Sequence, residues 1–173
     1  VNGMSNYARN SPWSNAALVV SVKAEKDIKD QDLMAGLRFQ HDIEKKAYAL
    51  SKKHATGREL PAMTIKEFMT GKLTDKPLPV TSSPSGVFKA DIRQIFPDFI
   101  VQHLKKGLEE FNRDLPGFIY EEGLLIAPET RTSAPLTVLR DKETLISLSH
   151  QGLYPCGEGA GYAGGITSAA VDG

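Results

Sequence analysis

Apolar positions along this chain follow two different periods. From about Leu33 to Lys53, Phe39, Ile43, Ala47 and Leu50 recur at helical spacing with the charges largely elsewhere. That pattern predicts a long amphipathic helix that stops near Gly57, with Asp30 or Asp32 placed to cap its start. A shorter helix is predicted from Ile65 to Thr70, closed by Gly71. Thr74 to Gly86 is a Pro/Ser-rich connector without periodicity. Ile92 to Ile95 forms a helical turn before Pro97, which suits the start of a helix running from about Asp98 to Asn112. Ile100, Leu104, Leu108 and Phe111 make its stripe, and Leu115-Pro-Gly117 ends it.

Either side of these helices the pattern reads as strand. Ala16 to Val22 is an apolar, β-branched run, and Phe118 to Tyr120, Leu124 to Ala127, Leu136 to Leu139 and Thr144 to Leu148 are further short candidates. Helices grouped between one early strand and several late ones predict an α+β fold, a mixed sheet interrupted by a helical insertion. The divisions expected are a strand segment over 1–22, an inserted, largely helical region over 23–116, and strands with a glycine-rich end over 117–173. No internal repeat is visible.

Composition narrows the function classes. Twenty-one basic and twenty-one acidic residues cancel, so no field draws the chain to nucleic acid or an anionic membrane. No apolar run approaches the length of a membrane span. Val1-Asn-Gly-Met-Ser5 lacks the basic-then-apolar signature of a secretory leader, and a cytoplasmic location is expected. Cys156 is the single cysteine, which excludes an intrachain disulfide, a dithiol redox pair and a multi-cysteine metal site. Standing at the end of an apolar stretch, it reads as small core filling.

The densest chemistry lies in Gly152-Leu-Tyr-Pro-Cys-Gly-Glu-Gly-Ala-Gly-Tyr-Ala-Gly-Gly-Ile166, six glycines and one acid ahead of a small-residue segment, Thr167 to Val171, fit to open a helix. Such a backbone approaches a ligand closely and turns N–H groups toward it. A helix beginning there adds the positive end of its dipole. Glu158 supplies an acceptor-only carboxylate suited to a ribose or ribityl hydroxyl. Gly159-Ala-Gly161-Tyr-Ala-Gly164 matches G-x-G-x-x-G, but it lacks the following strand and distant acid that would make it a Rossmann first turn. A polyhydroxylated, phosphorylated cofactor is the economical reading; a glycine-rich tail is the plain one.

Gly152 to Gly173 resembles the C-terminal FAD motif of the FAD-dependent, or NAD(FAD)-utilising, dehydrogenases, relatives of the glutathione-reductase-like flavoproteins. Val1-Asn-Gly-Met-Ser5, Ser11-Pro-Trp-Ser-Asn-Ala16, Glu129-Thr-Arg-Thr-Ser-Ala-Pro135 and Arg140-Asp141 match in the same order. The resemblance implies a fragment of a two-domain flavoprotein oxidoreductase, without the N-terminal βαβ unit that grips the adenosine of FAD. It implies that Gly157, Glu158, Gly159, Gly161, Tyr162, Ala163, Gly164, Gly165 and Ile166 face the flavin. It also makes Arg131, Thr132 and Ser133 candidates to face the ring or the substrate. FAD in the complete protein, NAD(P)H as reductant and an unidentified small-molecule substrate follow, with the inserted region as a cap. The alternative is a non-catalytic binding module that holds no flavin by itself.

The remaining polar residues read as structural. His41 and His54 are wrongly spaced to share a metal, and His103 sits mid-helix. His150, just before the glycine segment, is the one histidine near the expected site. Ser147, Ser149 and His150 lack the strand–turn–helix elbow of a hydrolase nucleophile. No catalytic residue and no metal ligand is assigned.

Overall fold

The computed structural model describes residues 7–8, 10–30 and 32–173. Val1-Asn-Gly-Met-Ser5 therefore lies outside the described residues. The fold is α+β, with five α-helices and one three-stranded mixed sheet among the described residues. The chain divides into two units, Val1–Ser21 with Asp42–Glu129, and Val22–His41 with Thr130–Gly173. No helix among the described residues is long and apolar enough to cross a membrane.

The first unit holds the sheet. β1 (Leu60–Thr64) is its central strand, paired parallel to β2 (Val87–Lys89) and antiparallel to β3 (Leu124–Ile126). The register sets Leu60 against Val87 on one side and Ala62 against Ile126 on the other. Pro61 removes one donor from the ladder, but its carbonyl still accepts the Ala127 N–H at 3.2 Å.

α3 (Ile65–Thr70) follows β1 without a linker, because Thr64 closes a capping box with Glu67. The Glu67 N–H donates to Thr64 Oγ1 at 3.2 Å, and the Thr64 N–H donates to Glu67 Oε2 at 3.0 Å. Gly71 ends the helix in the left-handed region at φ 78°. A 3₁₀ turn over Ile92–Ile95 leads to α4 (Asp98–Asp114), which begins after Pro97 and ends at Leu115. α2 spans Ala35–His54, and its residues from Asp42 onward belong to this unit.

These elements bury Met63, Ile65, Phe68, Ile92, Ile95, Val101 and Leu108 in one core, with Ala47 from α2 and Ala127 after β3. Phe68 is fully buried, a burial worth about 2–3 kcal/mol for a side chain of its size. Glu67 is the charged residue of this interior. Lys89 Nζ lies 2.7 Å from its Oε1, and the Thr74 N–H and hydroxyl donate to the same oxygen at 2.8 and 2.7 Å. Burial pushes this carboxyl up, but the bonds from Lys89, Thr74 and Thr64 outweigh it and hold it at about 2.

The helices expected over 33–53, 65–70 and 98–112 are present within two residues of those bounds, as is the turn at 92–95. The strands are corrected more heavily. Ala16 to Val22 has no strand partner among the described residues; Leu18 packs on the core while Val19 and Val22 are exposed. Phe118 to Tyr120 is not a strand, since its backbone closes onto α4 instead. The Phe118 N–H donates to the Leu115 carbonyl at 3.0 Å and the Ile119 N–H to Asn112 Oδ1 at 2.9 Å. β1 and β2, absent from the expected strands, carry two-thirds of the sheet.

Candidate functional site

The second unit contains the glycine segment. It is built from α1 (Ala24–Asp27), the start of α2, irregular chain from Thr130, and α5 (Ile166–Asp172). Asp32, one of the two acids expected to cap α2, accepts the Met34 N–H at 3.3 Å on its side chain and the Ala35 N–H at 2.9 Å on its carbonyl. Hydrogen bonds from Arg38 are the main force holding the Asp32 carboxyl below its usual range, with the Met34 N–H adding to them. Gly36 lets Pro135 come close: a Cβ there would stand 2.7 Å from the Pro135 Cβ.

Leu136 to Leu139 and Thr144 to Leu148 do not form the strands expected of them. An isolated antiparallel bridge joins Arg140 to Ser147 instead. Asp141 diverts the chain by accepting the Glu143 and Thr144 N–H groups at 3.0 and 2.8 Å, and Leu145 turns through φ 60°. The Val138 N–H is used by the Ala160 carbonyl at 3.1 Å. These residues thus support the glycine loop rather than extend a sheet.

The loop has a defined internal geometry. Gly157 and Gly161 sit at φ 69° and 83°, where a side chain is strained. The Gly161 N–H donates to the Glu158 carbonyl at 3.0 Å, and the Tyr162 N–H to the Gly157 carbonyl at 3.1 Å. Tyr162 reaches across the unit: its hydroxyl donates to the Val138 carbonyl and accepts the Arg140 N–H, both at 3.1 Å. The Arg140 guanidinium carbon lies 3.8 Å from the Tyr162 ring centroid, a cation–π contact.

Arg140 and Asp172 form the polar centre of this unit. Arg140 forks onto Asp172 with Nη2 2.5 Å from Oδ1 and Nη1 3.0 Å from Oδ2. Its Nη1 also donates to the Pro155 carbonyl at 2.7 Å. Asp172 accepts the Gly157 N–H at 2.8 Å. The bonds from Arg140, then that from Gly157, hold the Asp172 carboxyl below its ordinary range, and Asp172 in turn raises Arg140. The sequence alone assigns neither residue a role. The 32-residue separation of the pair carries no local signal.

The candidate residues fall into distinct environments. Gly157 is buried, Glu158, Gly161, Tyr162, Ala163 and Gly165 are half-buried, and Gly159 and Gly164 are exposed. A Cβ on Gly159 or Gly164 would meet nothing within 4 Å, so the backbone there is open to a ligand. Ile166 is 79% exposed at the first residue of α5. That helix has seven residues, one earlier in start and longer than Thr167 to Val171. Arg131, Thr132 and Ser133 are exposed on the chain that docks on α2, where Gln40 Nε2 donates to the Thr130 and Ser133 carbonyls at 2.9 and 3.3 Å.

Cys156 is exposed, and the expectation of core filling is corrected: the buried residue at this point is its neighbour Pro155, fixed by Arg140. His150 Nδ1 lies 2.9 Å from Ser149 Oγ, which in turn lies 3.3 Å from Ser147 Oγ, a local turn network. No group of three or more His, Cys, Asp or Glu among the described residues is arranged to hold a metal ion.

The loop sets one carboxylate among glycines of differing exposure. Glu158 offers an acceptor carboxylate between a buried glycine at positive φ and an open one. Residues 1–132 match the family described as FAD-dependent protein, C-terminal domain-like. The chain belongs to that family. An uncharacterized protein of Clostridium beijerinckii is 38% identical over 173 residues, covering 99% of this chain. The chain spans 32% of that relative's length. The family match ends at Thr132, so the glycine loop lies beyond it.

Proposed function

We propose that this chain is the part of an FAD-dependent oxidoreductase that supplies the C-terminal half of the flavin site and a cap over it. Membership of an FAD-dependent family carries the reading. The open glycine loop beside Glu158 supports it, since it fits a hydroxylated ligand such as the ribityl chain of FAD. In this reading Gly157 to Ile166 approach the flavin, and Arg131, Thr132 and Ser133 face its ring or the substrate. Residues 23–116 provide the inserted cap, between the segments 1–22 and 117–173 that join the flavin-binding domain.

When bound, the flavin supplies hydride or electron transfer, with NAD(P)H as reductant. The chain's own contribution is to bind and orient. Glu158 accepts a hydrogen bond from a hydroxyl, the open glycines admit close backbone approach, and Arg131 places positive charge where reduced flavin is anionic. The adenosine half of FAD is held by the remainder of a longer, cytoplasmic protein related to the glutathione-reductase-like flavoproteins.

The test is an absorption spectrum of the protein purified from its natural reading frame. Flavin bands that co-purify and bleach with NADH or NADPH are the expected result. A protein that stays colourless after incubation with FAD overturns the reading and leaves a binding module without flavin.

A further inference from the structure

We propose that Arg140 and Asp172 are positioning residues that hold the glycine loop in the shape a flavin requires, an inference that rests on the flavin reading above. Each acts through the backbone it restrains.

The restraint reaches both ends of the loop. At its start, Arg140 Nη1 binds the Pro155 carbonyl at 2.7 Å and Asp172 Oδ2 binds the Gly157 N–H at 2.8 Å. At its end, Tyr162 lies under the Arg140 guanidinium at 3.8 Å, with its hydroxyl tied to the Arg140 N–H. The fork between Arg140 and Asp172 closes the circuit, with side chains 12% and 20% exposed. One arginine therefore restrains residues 155 to 162 from both sides, with Gly159 exposed and Glu158 half-buried between the two anchors.

The internal bonds also decide which groups can serve a ligand. The N–H groups of Gly157, Gly161 and Tyr162 are spent on Asp172, Glu158 and Gly157. The Glu158 carboxylate and the open Gly159 stand between these engaged groups, so their directions depend on the circuit. A planar fork is required for this, because a lysine cannot bond a carboxylate through two parallel N–H groups and a carbonyl together. Ligand affinity falls in proportion to the fraction of molecules whose loop holds the competent shape.

The experiment uses the protein from its natural reading frame, stripped of flavin and titrated with FAD by fluorescence. Arg140→Lys and Asp172→Asn are compared with Arg38→Lys, a control in the same unit. Each flavin-free protein is also followed by thermal melting and by amide exchange of residues 155–162. The expected result is FAD affinity lower by about tenfold or more in both variants, with faster exchange at Gly157 and Tyr162. Melting should remain near wild type, and Arg38→Lys should bind FAD normally.

Variants that bind FAD as wild type does, or whose loss only tracks a lower melting temperature as in the control, overturn the positioning role. If Arg140→Lys does not fold, the nearly isosteric Asp172→Asn decides alone. A wild-type protein that binds no FAD overturns the flavin reading and this inference together; wild-type binding with unaffected variants overturns only this one.

Discussion

A Cβ on Gly161 would stand 2.5 Å from the Leu136 carbonyl oxygen and 2.7 Å from Thr137 Oγ1. The loop presses its backbone against the chain that supports it, at φ 83°. Gly161→Ala should therefore destabilise the protein by about 2–4 kcal/mol, from left-handed strain plus overpacking. Gly159→Ala, with open space around it, should stay within about 0.5 kcal/mol. Urea unfolding of the two variants measures the difference, and equal losses would disprove the close approach.

Glu67 makes stability depend on pH in an acid window. Its carboxyl is held at about 2 in the fold, against an ordinary value of 4.5. Between these values the unfolded chain binds more protons, so stability rises with pH there. The contribution is complete above the unfolded value and is lost as pH falls through the folded one. A shift of this size corresponds to about 3 kcal/mol. Glu67→Gln should lower stability at neutral pH and flatten the dependence between about pH 5 and 2. Denaturant melts across that range provide the check.

Thr64 serves the last position of β1 and the N-cap of α3 at once. Thr64→Ala should cost about 1 kcal/mol by removing the cap acceptor, and Thr64→Ser should recover most of it. Thermal melting of the pair separates the cap bond from loss of the methyl group, since serine keeps only the former.

Glu158 is half-buried beside the exposed Gly159. Under the proposed function, Glu158→Ala should weaken FAD binding by about tenfold, the order expected for one hydrogen bond to a charged group. The flavin-free melting temperature should stay unchanged. Unaltered affinity in a fluorescence titration would remove Glu158 from the site.

The two long helices were legible because each carries its own evidence. Phe39, Ile43 and Ala47 in α2, and Ile100, Leu104 and Leu108 in α4, repeat at a period set by backbone geometry alone. Gly71 and Leu115-Pro-Gly117 marked ends for equally local reasons. Strands of three to five residues offer no such margin. Ala16 to Val22 has strand composition without a strand partner among the described residues, while Leu60-Pro-Ala-Met-Thr64 is a central strand despite its proline. What separates them is pairing with residues 87–89 and 124–126, which no local window contains.

The same division runs through the candidate site. Local sequence was enough to determine the helices α2 to α5, though not α1, together with the α+β class and a glycine loop carrying Glu158, because dihedral freedom and side-chain chemistry belong to the residues themselves. Tertiary structure decided that Cys156 is exposed and Pro155 buried, and that Leu136 to Leu139 serves as a shelf for the loop instead of a strand. It also brought Arg140 onto Asp172 across 32 positions. Hydrogen bonds and close packing depend on distance in space, and only the folded chain sets that distance.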